Sequence, residues 1–260
     1  MSANGRATPR PRAVIFDLGA TLVDWPDWEE DVERRWALSY DHLVAAVPDR
    51  AVPDRAAYVR AMRAAELAHW ERVVAEQVGE PPEHVLRDGF RRLGGAPDEA
   101  QLLAALDGYA RAVDGWAVVD PAARETLRLL RGAGYQLGLL SNTWWSAAWH
   151  DADLAAHGLA DLLHTVVYTS GLPHSKPHPA VFLEAARRLA VEPSACVMVG
   201  DRLLDDIGGA LAVGMRAVWK RTDKPWSRSG AIAAHIVPTA TITGLAELSP
   251  LLEQWARAAG

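Results

Sequence analysis

The apolar positions of this chain change their spacing twice. Ala13-Val14-Ile15-Phe16 is a short β-branched and aromatic run closed by Asp17 and followed by Gly19, the pattern of a buried strand opening into a loop. From Pro26 to about Val113 the period becomes helical. Trp28, Val32, Trp36, Tyr40, Leu43 and Val47 recur at steps of three and four and predict one amphipathic helix. Asp54 is placed to cap a second, whose face carries Tyr58, Met62 and Trp70. Residues 85–93 predict a third helix, and Leu102, Leu106, Tyr109 and Val113 a fourth. The segment reads as a small helical bundle.

After Asp120-Pro121 helix and short apolar strand alternate. Helices are predicted over 121–132, from about Trp145, over 179–189 and over 204–213, with strands at 136–140, 166–168, 195–199 and 216–219. Repeated βα units imply a parallel sheet covered on both faces, a three-layer Rossmann-like α/β core. The bundle is then an insertion after the first strand. The expected division is a loose basic tail over 1–11, a core formed by 12–24 and 115–260, and a helical domain over 25–114. A last strand is expected at 235–237, and a helix over 244–258 that Pro250 should break or kink.

Composition narrows the function classes. A formal charge of −6 over 260 residues argues against a general nucleic-acid binder, which must neutralise phosphates with Lys and Arg. The single cysteine, Cys196, cannot form an internal disulfide and reads as a small buried apolar residue, so a cytoplasmic location is expected. No apolar run reaches the ~20 residues of a membrane helix, and the first dozen residues lack the apolar stretch of a signal peptide. Either a monomer or a homodimer is compatible with the sequence.

Four segments each follow a predicted strand: Asp17-Leu18-Gly19-Ala20-Thr21, Leu140-Ser141-Asn142-Thr143, Ser175-Lys176-Pro177, and Gly200-Asp201 continuing to Asp205-Asp206. Strand ends converge on one edge of a parallel sheet. They bring together a nucleophilic carboxylate, hydroxyl and amide donors, a lysine and further acids, the inventory that phosphoryl transfer requires. Asp17 and Lys176 are the least expected as bland surface groups, because an acid ending an apolar strand needs a compensating partner and the chain has only three lysines.

In order and spacing these segments resemble the four motifs of the haloacid dehalogenase superfamily, with an α-helical cap inserted after the first, over about residues 13 to 220. The resemblance implies a Mg2+-dependent hydrolase acting on a small phosphorylated substrate. Asp17 would form an aspartyl-phosphate, and the Gly19 carbonyl and Asp201 would ligate the metal together with Asp17. Thr21 and Ser141 would hold phosphoryl oxygens, with help from the backbone at Asn142, and Lys176 would neutralise the nucleophile and the transferring group. Asp206 would act through a ligand water or through Lys176, with Asp205 ranked second for that role.

One position departs from the pattern. Phosphatases of this type carry a second acid two residues after the nucleophile, where this chain has Gly19. Asp24, Asp27, His42 and His69 are candidate replacements. A metal-free dehalogenase also lacks that acid, and a relative that binds phosphorylated ligands without turnover is the other alternative. The acid cluster at 201–206 favours a cation and therefore phosphoryl chemistry. A cap-lysine Schiff base is disfavoured, since residues 22–115 contain no lysine.

Eleven tryptophans are many for this length. Trp25 and Trp28, and Trp144, Trp145 and Trp149, fall where core and cap should meet, as packing or as an apolar substrate wall, with Trp25 and Trp144 assigned to the substrate side. His174 and His178 read as exposed turn histidines rather than metal ligands, and the 220–224 run as a solvated loop.

Overall fold

The computed structural model describes residues 9–26, 28, 30–222 and 235–258. Six parallel strands form the sheet: β1 (Ala13–Phe16), β4 (Gln136–Ser141), β5 (Thr165–Tyr168), β6 (Cys196–Gly200), β7 (Arg216–Lys220) and β8 (Ala240–Ile242), in the order β5-β4-β1-β6-β7-β8. Two further strands, β2 (Val23–Asp24) and β3 (Val118–Val119), form a separate antiparallel pair. β1 lies in the middle and is buried along its whole length. Its side chains alternate between two apolar layers. Val14 and Phe16 join Leu127, Val197, Val199 and Leu252 on one face, and Ala13 and Ile15 join Phe182, Met198 and Ile207 on the other. Both faces are covered, which is why the strands are continuously apolar. The helices that cover them are α5 (Ala123–Gly132) and α9 (Leu248–Ala258) on the first face, and α7 (Pro179–Arg188) and α8 (Gly209–Ala212) on the second.

Between β2 and β3 the chain runs through α1 (Val32–Ala46), α2 (Arg55–Glu76), α3 (Pro82–Arg92) and α4 (Glu99–Val113). The Asp54 carboxylate accepts from the amides of Ala56 and Ala57 at the start of α2, and Asp98 and Gln101 make a capping box at the start of α4. Gly108 lets α4 approach α1, since a Cβ there would lie 2.9 Å from the Ser39 Cα. The four helices share a third apolar cluster with Trp36, Tyr58, Met62, Phe90 and Tyr109, joined by Trp144 and Trp145 from the loop after β4. That loop leads into α6 (Ala147–Ala156). Among the described residues no helix is long and apolar enough to cross a membrane.

Several sequence expectations shift. Trp28 precedes α1 rather than opening it, and its ring instead lies under the Arg35 guanidinium, 3.8 Å from centroid to carbon. The expected helix over 204–213 is a π-helical turn (Leu203–Gly208) running into α8. The last strand is β8 rather than residues 235–237, because Thr239 Oγ1 and its amide engage Ala217 and bring 240–242 into register with β7. Pro250 neither breaks nor kinks the final helix: it is the third residue of α9, where an amide proton has no helical partner to lose.

Candidate active site

β1 sits between β4 and β6 with Phe16 level with Leu139 and Val199, so Asp17, Ser141 and Asp201 leave the sheet at the same edge. The Asp17 amide donates to the Val199 carbonyl at 2.9 Å, and the residue is 6% exposed. The chain then turns sharply, with the Leu18 carbonyl accepting from the amides of Thr21, Leu22 and Val23. Ala20 takes a left-handed φ of 57°, a conformation that costs a residue with a Cβ roughly 1 kcal/mol. Thr21 is buried, and its Oγ1 has no hydrogen-bond partner among the described residues.

Lys176 reaches this edge from the loop before α7. Its ammonium donates to Asp17 Oδ1 at 2.6 Å, Asp206 Oδ1 at 2.6 Å and the Leu140 carbonyl at 3.0 Å, which uses all three of its protons. The Asn142 side chain holds the lysine from behind, accepting from the Lys176 amide at 2.8 Å and donating to its carbonyl at 2.9 Å. The sequence reading credited only the backbone around Asn142. Asp206 comes from the π-helical turn, a device often found at functional sites. Its second oxygen accepts from the Arg202 amide at 2.9 Å. The side chain crosses Gly200 so closely that a Cβ there would lie 2.3 Å from Asp206 Oδ2.

Asp201 is the exception in this ordered set. It is 6% exposed, and neither carboxylate oxygen has a hydrogen-bond partner among the described residues. One ligand atom each of Asp17, Asp201 and Asp206 lies within 4.8 Å of the others. Burial, with Asp17 and Asp206 adding to it, pushes the Asp201 carboxyl up to about 8. Burial likewise lifts Asp17 to about 6, Lys176 opposing it and Asp206 reinforcing it. Burial works against the Lys176 charge, yet Asp17 and Asp206 outweigh it and raise the ammonium above its usual range. Arg202 and Asp205 pair with each other at 3.4 Å, and Asp205 makes no contact with Lys176 of the kind Asp206 makes.

Three carboxylates around one ammonium, beside the Arg202–Asp205 pair, leave a formal excess of two negative charges in a largely buried space. Three buried oxygen donors, one wholly unpartnered, match the donor set of a hard divalent cation, whose charge balances that excess. The residues therefore fit magnesium.

The remaining candidates fall into place around this centre. Trp25 lies beside Gly19, where a Cβ would meet its Cζ3 at 3.7 Å, and its ring packs edge-on against Trp145 and His150. Trp144 does not line an open surface: it is fully enclosed, stacked on Trp36 at 5.9 Å and edge-on to Tyr109, because the loop after β4 plugs into the helical bundle. Its assignment to the substrate side is corrected to packing. Asp24 accepts from the neighbouring Trp25 amide, His42 pairs with Asp107 at 2.7 Å, and His69 is bound to Glu80 at 2.7 Å. Asp27 lies outside the described residues. His174 and His178 stack face to face at 3.7 Å, and His178 caps α7.

Lys220 departs from the solvated loop expected over 220–224: it is 8% exposed and tied to Ala20, Thr21 and Asp120, whereas Arg221 is exposed. Asp223 and Lys224 of that run lie outside the described residues. A signal was present, because Lys220 ends an apolar strand, as Asp17 does.

Comparison with known proteins agrees with this geometry. A family model described as haloacid dehalogenase-like hydrolase matches residues 11–214. A glyceraldehyde 3-phosphate phosphatase of Methanopyrus kandleri is 35% identical over 215 residues, covering 82% of this chain and 85% of the relative. Among solved structures, a 2-haloacid dehalogenase from Pseudomonas syringae superposes with a TM-score of 0.65 at 30% identity, covering 95% of this chain and 100% of the other. A phosphatase of the same superfamily from Thermococcus onnurineus gives 0.57 at 25% identity, covering 93% and 97%. A central carboxylate on a lysine, an acid pair after the next strand and a match over most of the length lead to one conclusion: the chain belongs to the haloacid dehalogenase-like hydrolases.

Proposed function

We propose that the chain is a magnesium-dependent phosphatase that hydrolyses a small organic phosphate monoester through an aspartyl-phosphate on Asp17. The observation that carries this reading is Asp201, a buried carboxylate with no hydrogen-bond partner among the described residues, beside two more acids. Such a group is costly unless a cation joins it, and the metal-free dehalogenation route has no use for one. The likeness to a glyceraldehyde 3-phosphate phosphatase points the same way.

In this reading Asp17, Asp201 and the Gly19 carbonyl hold magnesium, which supplies positive charge to the phosphoryl oxygens when bound. Lys176 fixes Asp17 through Oδ1 and leaves Oδ2 to attack phosphorus. Asp206, with one oxygen on Lys176 and the other on the Arg202 amide, acts through the lysine. Thr21 Oγ1, Ser141 and the backbone at Asn142 take the equatorial oxygens. Attack forms an Asp17 Oδ2–phosphorus bond as the ester P–O bond breaks, and the departing alkoxide takes its proton from solvent; water then attacks phosphorus, releasing inorganic phosphate and regenerating the Asp17 carboxylate. Gly19 offers no proton to the leaving oxygen, so good leaving groups are favoured. The four-helix insertion acts as a cap that excludes water, with Trp25 over the position of the missing acid. The buried free thiol of Cys196 fits a cytoplasmic protein.

The test is phosphate release from an aryl phosphate with and without magnesium, for the parent and Asp17→Asn. Magnesium-dependent release that disappears in the variant is expected; undiminished release in Asp17→Asn removes the nucleophile assignment. Gly19 and the likeness to a 2-haloacid dehalogenase favour the rival reading. Metal-independent chloride release from 2-chloropropionate would establish it.

A further inference from the structure

Lys220 ends β7 at the sheet edge from which Asp17, Ser141 and Asp201 also emerge. It is separated from the loop after Asp17 by about 200 positions, yet its ammonium donates to the Ala20 carbonyl at 2.9 Å and to the Thr21 carbonyl at 3.2 Å. A third contact, 2.9 Å long, goes to Asp120 Oδ2. Asp120 follows β3, and its amide donates to the Leu22 carbonyl at 2.9 Å. One buried cation therefore gathers the loop carrying Gly19 and Thr21 and the strand that returns from the helical insertion.

This loop would not rest in its observed shape by local preference alone. Ala20 holds a φ of 57°, a region that glycine occupies freely and alanine does not. The carbonyl that Lys220 grips belongs to that same residue, and the next belongs to Thr21, whose unpartnered hydroxyl is buried. A solvated lysine elsewhere on the surface would do nothing of the kind. An ammonium withdrawn from water onto two carbonyls and one carboxylate must be held by the geometry it enforces.

We propose that Lys220 is a positioning residue for the proposed reaction, setting the backbone of 19–21 so that the Gly19 carbonyl and Thr21 hydroxyl face Asp17. It touches no reacting atom, and the assignment rests on the phosphatase reading. The test compares the parent, Lys220→Met and Lys220→Met combined with Ala20→Gly. Lys220→Met is expected to lower kcat on an aryl phosphate by about tenfold to a hundredfold while KM stays within about twofold, since small misplacements of reacting groups cost that much. Adding Ala20→Gly is expected to restore about threefold or more of the loss, because glycine accepts the left-handed φ unaided. Amide hydrogen exchange supplies a readout independent of turnover: residues 18–24 should exchange about tenfold faster in Lys220→Met, with residues 196–200 unchanged.

If Lys220→Met does not fold, Asp120→Asn carries the exchange comparison at smaller amplitude. Equal acceleration at 18–24 and 196–200, or a kcat loss that Ala20→Gly leaves untouched, overturns the proposal in favour of a purely structural ion pair. A parent without magnesium-dependent turnover would defeat the phosphatase reading, while the exchange result would still decide whether Lys220 orders the loop.

Discussion

Of the clusters of buried charge among the described residues, one at the edge of the sheet and one inside the helical insertion differ in how nearly their charges balance. In the insertion, Arg35 is fully buried and donates to the Tyr109 hydroxyl at 2.9 Å and the Trp28 carbonyl at 2.7 Å. Glu66 accepts from Trp36 Nε1 at 2.7 Å and lies 3.8 Å from Arg35 Nη2. One positive charge faces one negative charge, and Tyr109 and Trp36 engage the pair by hydrogen bonds, with Arg35 Nη2 held to Glu66 by charge alone. At the sheet edge, three carboxylates face one lysine, and neither oxygen of Asp201 has a hydrogen-bond partner among the described residues. The balanced cluster costs little beyond its own desolvation and holds helices together. The unbalanced one keeps an electrostatic strain that a bound cation would relieve. Burial of charge alone therefore does not mark a reaction centre; a deficit of partners does.

The strongest way to break this comparison is to remove one partner from each cluster. Lys176→Met is expected to lower kcat/KM by about 10²–10³-fold, as loss of a preorganised positive group does. Glu66→Gln is expected to lower unfolding free energy by about 3 kcal/mol, leaving Arg35 uncompensated, while turnover per folded molecule stays near the parent's. Steady-state kinetics beside denaturant unfolding of both variants reads the two effects. Equal loss of turnover per folded molecule in both would erase the distinction.

A smaller effect sharpens it from the other side. Gly19→Asp adds a fourth acid where a Cβ has room, 3.7 Å from the Trp25 ring. Turnover of alkyl phosphates should rise by about 10²-fold relative to aryl phosphates, the worth of leaving-group protonation. A ratio unchanged by the substitution would mean that another group already serves as the acid.

Asp201→Asn should act in the opposite sense on stability. Removing a partnerless buried carboxylate is expected to stabilise the magnesium-free protein by about 1–2 kcal/mol at pH 8, and to abolish stabilisation by added magnesium. A lower Tm in Asp201→Asn without magnesium would show that the carboxylate is paired after all.

The smallest expected effect is a pH slope. The folded-state pKa values of Asp17 and Asp201, about 6 and about 8, lie above their ordinary 3.8, so between those limits the folded chain binds more protons than the unfolded one. Their contribution to stability is complete below pH 3.8 and is lost as pH rises through 6 and 8. The slope is at most ~1.4 kcal/mol per pH unit for each titrating proton. Magnesium competes for the same oxygens, so the Tm gain it produces should grow from pH 5 to pH 8. A gain independent of pH would separate the metal from these two acids.

Much of the centre was legible because chemistry restricts residue type at strand ends. An acid closing Ala13–Phe16 and an acid following Cys196–Gly200 can be found by reading, and both lie where reading puts them. The tryptophans were harder. Trp25 and Trp144 have the same composition and similar neighbourhoods in the sequence, yet Trp25 lies beside Gly19 and Trp144 is sealed under Trp36. Which aromatic borders a site depends on how the insertion docks, and no local spacing encodes that. Lys220 was the clearest miss, since the charged residues after it resemble any solvated turn.

The order of residues alone determined the kinds of elements, the parallel sheet and the carboxylates and lysine available to one of its edges, because hydrophobic period and strand-end chemistry act over a few neighbouring positions. Tertiary structure alone decided which charges would be balanced. Asp201 is left without a partner, Lys220 finds three, and Arg35 meets Glu66, all through residues brought together from distant parts of the chain. The energy of a buried charge depends on what surrounds it in space, and that environment exists only once the chain has folded.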